Sequence, residues 1–523
     1  MRPLLNKFTN RGAALSALLI FLILTLGFFL RLYHIEFGLP QSFRADEPEL
    51  VEPAIFYAFQ IRSIIANNDF YKLIPISYVY GTFPAYLFTI LIMVASKIHN
   101  LLNIQFPKEN MYLLIRIFHA FLSLGIVIIG AWLYKKVFKN HEGVLFSLLF
   151  LSLNWMLIVH GHYANADLIV TFLLTASFIP FYSYFKKEGP DTLLTVLTAI
   201  LFGLAVGTKI TSLLALPFYL YIFVHKMDYR NLFAFILIIL ATFLFTNPFA
   251  LVFSDNFLLR VLEMVTKESG IALDSVDYNP FKYVLALFYI STFVIAELSF
   301  VGIFKKLREK DELPYHIFLI GQIVIYLLFF SLGSRRVDRW LLPILPIIIL
   351  YASYGLYKIN QKLSRPLAVL LTTIAIAVVV YFPATLLGQF RREVPKSETY
   401  YWMQENIDPL STKLVITEEG LDAMNKLGAV TLIQYPVYTS EGAQFFAPPD
   451  PKLFDYVVIS SRPMENFKRP EVKKEFPFYV EKLENFENML LDPENFKLIK
   501  SFTLPKPNLI PLSDVFIYEN VTK

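Results

Sequence analysis

The stretch FPAYLFTILIMVASKIH, residues 83–99, decides how the whole chain is threaded. Its hydropathy alone fits a membrane-crossing helix, since a bilayer core about 30 Å thick takes roughly 20 apolar residues per helix. Around it lie eleven further apolar runs, near 12–32, 111–136, 142–159, 166–185, 191–207, 209–224, 231–250, 281–304, 313–333, 340–358 and 366–388. The basic residues between these runs test the count. Lys135, Lys136 and Lys139 share one connection, Lys186 and Lys187 a second, Lys226 and Arg230 a third. Lys305, Lys306 and Arg308 share a fourth, and Lys358, Lys362 and Arg365 a fifth. Cytoplasmic connections carry the excess of Lys and Arg. All five fall inside only if the chain stays outside from residue 33 to about 110. A crossing at 83–99 would send every one of them out. The stretch is therefore read as a helix on the outer membrane surface. A second such helix is expected over 48–66, PELVEPAIFYAFQIRSIIA, within one large outer loop.

At the start, Lys7 and Arg11 precede the apolar run from Gly12 to Leu32. The run is too long for the core of a signal peptide, and no small-residue cleavage site follows it. The expectation is an uncleaved first span, with the N-terminus inside and the C-terminus outside. The chain has 523 residues, 56% of them hydrophobic, and a mean hydropathy of +0.53, which excludes an ordinary soluble enzyme. The net charge of +5 is small; sitting mostly in short connections, it orients the chain and does not point to nucleic acid. With no cysteine, disulfides, thiolate catalysis and Cys-based zinc sites are excluded.

From residue 390 the composition changes. KLVITEE (413–419), DYVVISS (455–461), FKLIKSF (496–502) and DVFIYEN (514–520) are short β-rich runs bounded by turn residues, with a helical pattern over 397–407. Two regions follow: a membrane domain over 1–389, including the outer loop 33–110, and an extracytoplasmic α/β domain over 390–523.

This threading collects polar residues on the outer face. The first loop carries RADE, with Asp46 and Glu47 adjacent. VHGHYANAD brings His160, His162, Tyr163, Asn165 and Asp167. GTK brings Lys209 between two apolar runs, SRRVDRW brings Arg335, Arg336, Asp338 and Arg339, and Arg116 lies near the same face. Each has a plain explanation: a solvated carboxylate, a structural histidine, a lysine reaching for the interface. The arginine cluster departs from the charge rule that orients everything else, and points to an anionic head group or a phosphate. Cations can hold a phosphate as it leaves, while a carboxylate takes a proton from an attacking hydroxyl or amine.

At these residues the sequence resembles the GT-C superfamily of integral membrane glycosyltransferases, in its protein O-mannosyltransferase and lipid A aminoarabinose transferase branch. RADE, YANAD, GLAVGTKITSLLALP (203–217) and RWLLPILPIIILYASYGL (339–356) occur in the family's order. The resemblance implies an α-helical polytopic membrane protein of about eleven transmembrane helices and two juxtamembrane helices, with a C-terminal α/β domain. It implies inverting transfer of a sugar from a polyprenyl-phosphate donor in the cytoplasmic membrane of a bacterium or archaeon. Asp46 takes the role of general base, with Glu47 beside it. Asp167 shapes the substrate site together with His162, Tyr163 and Asn165, and Arg116, Lys209, Arg339, Arg335 and Arg336 hold the donor phosphate. No cofactor is implied. Asn165 stands where oligosaccharyltransferase relatives carry a metal-binding carboxylate, which argues against a divalent ion. The sugar (hexose or pentose) and the acceptor (protein, lipid or glycan) are not written in these motifs. A transporter, or a membrane anchor displaying the outer domain for binding, remains the alternative. Transporters place ionisable residues near mid-span and often repeat their halves, whereas here the charges gather at the outer ends.

Overall fold

The computed structural model describes residues 2–39, 46–73, 80–252, 255, 257–259, 277–407, 415–418, 430–433, 448–504, 506–510 and 512–523. Arg44 and Ala45 of the RADE motif lie outside the described residues.

All eleven expected runs are helical. They form α1 (Arg2–Leu32), α4 (Lys108–Phe138), α5 (His141–Leu153) with α6 (Trp155–Gly161), α7 (Ala166–Lys186), α8 (Thr192–Thr208), α9 (Leu216–His225) and α10 (Tyr229–Thr246). After these come α11 (Lys282–Ser291) with α12 (Phe293–Glu309), α13 (Leu313–Leu332), α14 (Leu345–Asn360) and α15 (Arg365–Phe390). The first loop adds α2 (Asp46–Ala66) and α3 (Phe83–Leu101). Among the described residues, eight helices are long and apolar enough to cross a bilayer, or ten if each of two bent pairs is one span. The expected eleven are not all reached because two runs, Thr192–Thr208 and Ile210–His225, are short. Phe83–Leu101 passes the same length and composition test.

Polar groups occupy the helix breaks. The α5–α6 pair bends by 49° at Asn154, whose side chain accepts from Leu157 N at 3.1 Å and donates to the Ile290 carbonyl at 3.0 Å. The α11–α12 pair bends by 106° at Thr292, whose φ of +77° is a conformation that L-residues rarely adopt. The two breaks thus face each other, and freed backbone groups find partners inside the protein, as a bilayer requires. The fully buried Arg31 caps the end of α5 in the same way, donating to the Ser152 and Leu151 carbonyls at 3.0 and 3.2 Å and to Ser123 Oγ at 2.7 Å. Helices α12 and α14 cross in backbone contact, because Gly302 lies against Tyr351 and Gly355 against Leu298.

Both ends of α3 are held. Gly81 N donates to the Thr208 carbonyl and Thr82 N to Asn247 Oδ1, each at 2.9 Å, which ties the start of α3 to the ends of α8 and α10. Its other end reaches α4 through residues 102–107. The first turns of α4 are anchored to α2: Tyr112 Oη donates to Glu52 Oε1 at 2.5 Å, and Lys108 lies 2.6 Å from the same oxygen.

At the opposite side of the bundle four of the five basic connections meet one acidic loop. Glu312 binds Lys139 (2.8 Å) and Lys186 (3.0 Å), and Glu309 binds Lys358 (2.8 Å) and Lys306 (3.4 Å).

After α15 and α16 (Pro395–Asn406) the chain builds a five-stranded sheet from β1 (Val415–Glu418), β2 (Val430–Ile433), β3 (Tyr456–Ser460), β4 (Phe496–Phe502) and β5 (Val515–Asn520). The order is β2-β1-β3-β5-β4, with β1 parallel to β2 and β3, and β5 antiparallel to β3 and β4. β2 was not among the expected strands. A loop of this region plugs into the membrane part: Gln389, at the end of α15, donates to the Pro507 carbonyl (2.5 Å) and accepts from Leu509 N (3.2 Å), and Leu509 and Ile510 join the core of the helical bundle.

Candidate active site

Four charged side chains from four separate elements form one chain of ion pairs. Asp46 opens α2, and Asp167 lies in the first turn of α7, so both carboxylates sit at helix N-termini, where the backbone favours negative charge. Lys209 occupies an extended step (φ −156°, ψ 124°) where α8 ends. Arg339 belongs to the 3₁₀ segment Asp338–Ile344 that leads into α14. Arg339 Nη2 lies 2.7 Å from Asp46 Oδ2, Arg339 Nε lies 3.3 Å from Asp167 Oδ2, and Lys209 Nζ lies 2.7 Å from Asp167 Oδ1. The side chains of Asp46 and Arg339 are 25% and 24% exposed, whereas Asp167 is 5% exposed. The outer pair is open to a ligand and the inner pair is closed in. Two carboxylates balance two cations.

Aromatic rings frame the cations. Lys209 Nζ lies 6.0 Å from the Tyr80 ring centroid and 5.7 Å from that of Trp340, and the Arg335 guanidinium lies 5.8 Å from Trp340. These are cation–π distances. Burial and the negative charges of Asp46, Asp167 and Glu49 push the Tyr80 hydroxyl well above its ordinary range, so it is a neutral donor. Tyr80 is held in place by the Gly81–Thr208 bond, and the approach requires glycine: a Cβ at Gly81 would overlap the Gly207 carbonyl.

The remaining expected residues are engaged elsewhere. Glu47, adjacent to Asp46, is fully buried and receives Arg116 Nε at 2.8 Å, Arg116 Nη2 at 2.6 Å and Ala164 N at 3.1 Å. Arg116, expected at a phosphate, also donates to the Ile35 and Phe37 carbonyls (3.0 and 2.7 Å) and is fully buried. It ties the first loop to α4 and the 162–165 loop. Asn165 caps α7, accepting from Leu168 N at 3.2 Å, and its amide lies with the Tyr163 hydroxyl (2.6 Å) on His160 Nδ1. His162 has its ring nitrogens on the Ile158 and Tyr33 carbonyls (2.8 and 3.0 Å) and stacks on Phe390. Burial lowers His162 to about 4, against the two carbonyls that its ring nitrogens face. Arg336 pairs with Asp338 at 2.8 Å. Sequence reading missed Tyr80 and Trp340 at the site and His119 behind it. His119 accepts from Asn165 N at 3.0 Å and donates from Nδ1 to the Ile115 carbonyl at 2.9 Å. Trp340 had a signal in its place beside Arg339; Tyr80 and His119 had none. Among the described residues no three His, Asp or Glu converge on a metal position.

A polytopic helical bundle followed by an α/β region, with a charged cluster where the first loop meets the helix ends, defines a class of membrane protein. Solved structures of ArnT from Cupriavidus metallidurans share the fold. The apo form superposes with a TM-score of 0.54 at 13% identity, covering 97% of this chain and 98% of that one. The form bound to undecaprenyl phosphate gives 0.52 at 13% identity, covering 96% and 97%. The family model for dolichyl-phosphate-mannose-protein mannosyltransferases matches residues 21–258, and that of the Alg9-like mannosyltransferases matches 279–409. An uncharacterized protein of Aquifex aeolicus is 26% identical over 288 residues, 52% of this chain and 56% of that protein. The undecaprenyl phosphate-α-4-amino-4-deoxy-L-arabinose arabinosyl transferase of Yersinia pestis is 27% identical over 269 residues, 48% of each. The chain spans about half the length of the curated relatives it matches. Its apolar helices and these relatives make it an integral membrane protein, and the matches support a likeness to the GT-C glycosyltransferases of the mannosyltransferase and ArnT branch.

Proposed function

We propose that the chain transfers a sugar from a polyprenyl-phosphate donor to an acceptor at the outer face of the cytoplasmic membrane. The observation that carries this reading is the contact of Asp46 with Arg339 at the open end of a cleft whose inner end holds Asp167 and Lys209. Here a proton acceptor and two phosphate-binding cations share one site. The acceptor oxygen or nitrogen attacks the anomeric carbon, and the new bond forms as the bond from that carbon to the phosphate oxygen breaks. The electron pair stays on the phosphate, held by Arg339 and Lys209, and the acceptor's proton passes to Asp46. Glycosylated acceptor and polyprenyl phosphate leave. Attack opposite the phosphate inverts the anomeric centre. Glu47 and Arg116 position Asp46 from behind and are not assigned to substrate. Tyr80 and Trp340 offer ring faces beside the cations. The relatives' names support the donor class, with a mannosyl and an aminoarabinosyl lipid as the leading candidates.

Purified protein given a panel of polyprenyl-phosphate sugars with candidate acceptors is expected to release free polyprenyl phosphate from one donor, and Asp46→Asn to abolish the release. Failure of both proteins to bind any donor would remove the transferase reading.

A further inference from the structure

The proposed roles compete with one another in the resting protein. A base must have a free carboxylate, and a phosphate site must have free cations. Yet Asp46 lies on Arg339 at 2.7 Å, and Asp167 occupies both the Arg339 Nε and the Lys209 ammonium. The cluster is electrically closed, so an incoming phosphate finds no uncompensated positive charge among these four groups. The two halves differ in accessibility. Asp46 and Arg339 are each about a quarter exposed, whereas Asp167 is nearly buried, so the outer pair is the one a ligand can exchange.

Resting on that functional reading, we propose that Arg339 is a donor-sensing positioning residue: it masks Asp46 until a donor phosphate displaces the carboxylate from it. The donor's monoanionic phosphodiester replaces Asp46 on the guanidinium, whose planar fork suits phosphate and carboxylate alike. Asp46 is thereby freed at the moment the sugar arrives, and Asp167 keeps the guanidinium in place through Nε. The base is thus exposed only when donor is loaded, and the acceptor is engaged second.

This makes an unusual demand on a residue proposed as the base: removing it improves donor binding. The probe is undecaprenyl phosphate, titrated into purified full-length protein in lipid nanodiscs. Asp46→Asn is expected to bind it roughly five- to tenfold more tightly than wild type, the range for a partly exposed charge pair. In an Arg339→Gln background the same substitution is expected to change affinity little, because the coupling runs through that guanidinium. Asp46→Ala replaces Asp46→Asn if the amide variant does not give a monodisperse protein. Equal or weaker binding by the Asp46 variants, or an equal gain without Arg339, overturns the masking role and leaves the transferase reading standing. No binding by any protein, wild type included, overturns the donor reading and the masking with it.

Discussion

Asp46 and Glu47 are adjacent in sequence, yet the helical turn that begins at Asp46 sends one carboxylate to Arg339 and the other to Arg116. The first pair is open and the second has no exposed side-chain surface, which separates their consequences on mutation. Asp46→Asn is expected to cut turnover by about 10²–10⁴, the usual contribution of a general base, while the protein melts near the wild-type temperature. Arg116→Leu strands a buried carboxylate and is expected to destabilise by about 3–5 kcal/mol, read as a lowered melting temperature in detergent before any kinetic effect is measured. The opposite pattern, a stable Arg116→Leu protein with weakened donor binding, would return Arg116 to the phosphate. The residue types alone could not make this distinction: RADE shows two adjacent carboxylates outside a span, Arg116 looked like one more cation near the outer face, and only the family resemblance singled out Asp46 as the base. What separates them is the Arg116 guanidinium's fit to Glu47 and to the Ile35 and Phe37 carbonyls, contacts that join residues 69 to 81 positions apart.

One face of α4 shows how an element builds the site without touching it. Arg116, His119 and Ser123, spaced three and four residues apart, hold Glu47, Asn165 and Arg31 respectively. The helices themselves were legible because each needs a long apolar run, and all eleven runs form helices. Their breaks were not. The break at Thr292 carries no glycine or proline, and is fixed by contacts from Asn154 and Trp155 to the Ile290 and Tyr289 carbonyls. β2 was missed although it is as long as β1, four residues each. Gly302→Leu is expected to force α12 and α14 apart, since even a Cβ overlaps the Tyr351 carbonyl, at a cost of about 1–3 kcal/mol. A titration tests the acidic loop at the other side. Burial would raise the Glu312 carboxyl, but Lys139, Lys186 and the Tyr182 hydroxyl together hold it below its ordinary value. A carboxyl lowered by folding stabilises above its unfolded pKa, about 4.3, and loses that contribution as pH falls through the folded value. Glu312→Gln is therefore expected to lower stability by about 1–2 kcal/mol at pH 7, with the difference from wild type closing below pH 4.

For the whole molecule, the question set by residues 83–99 becomes one about sides. Phe83–Leu101 is apolar enough to cross, so composition does not answer it; the tethers at its two ends argue for the surface helix that we propose. Its first residues are bonded to the ends of α8 and α10 beside Lys209, and its last lead through residues 102–107 to a helix anchored on Glu52 of α2. A helix of 19 residues rises about 28 Å, so a crossing would place its ends on opposite faces, against both tethers. Four of the five basic connections also gather around Glu309 and Glu312, as expected if they share one side. The absence of native cysteine makes the test clean. Single cysteines at exposed Gln105, Glu188 and Glu494 can be challenged with a membrane-impermeant maleimide on intact cells. Gln105→Cys and Glu494→Cys are expected to label at once, and Glu188→Cys only after permeabilisation. If α3 crosses instead, the pattern inverts: Glu188→Cys labels on intact cells, Gln105→Cys and Glu494→Cys label only after permeabilisation, and the loop that carries Asp46 lies on the opposite face from Asp167, Lys209 and Arg339.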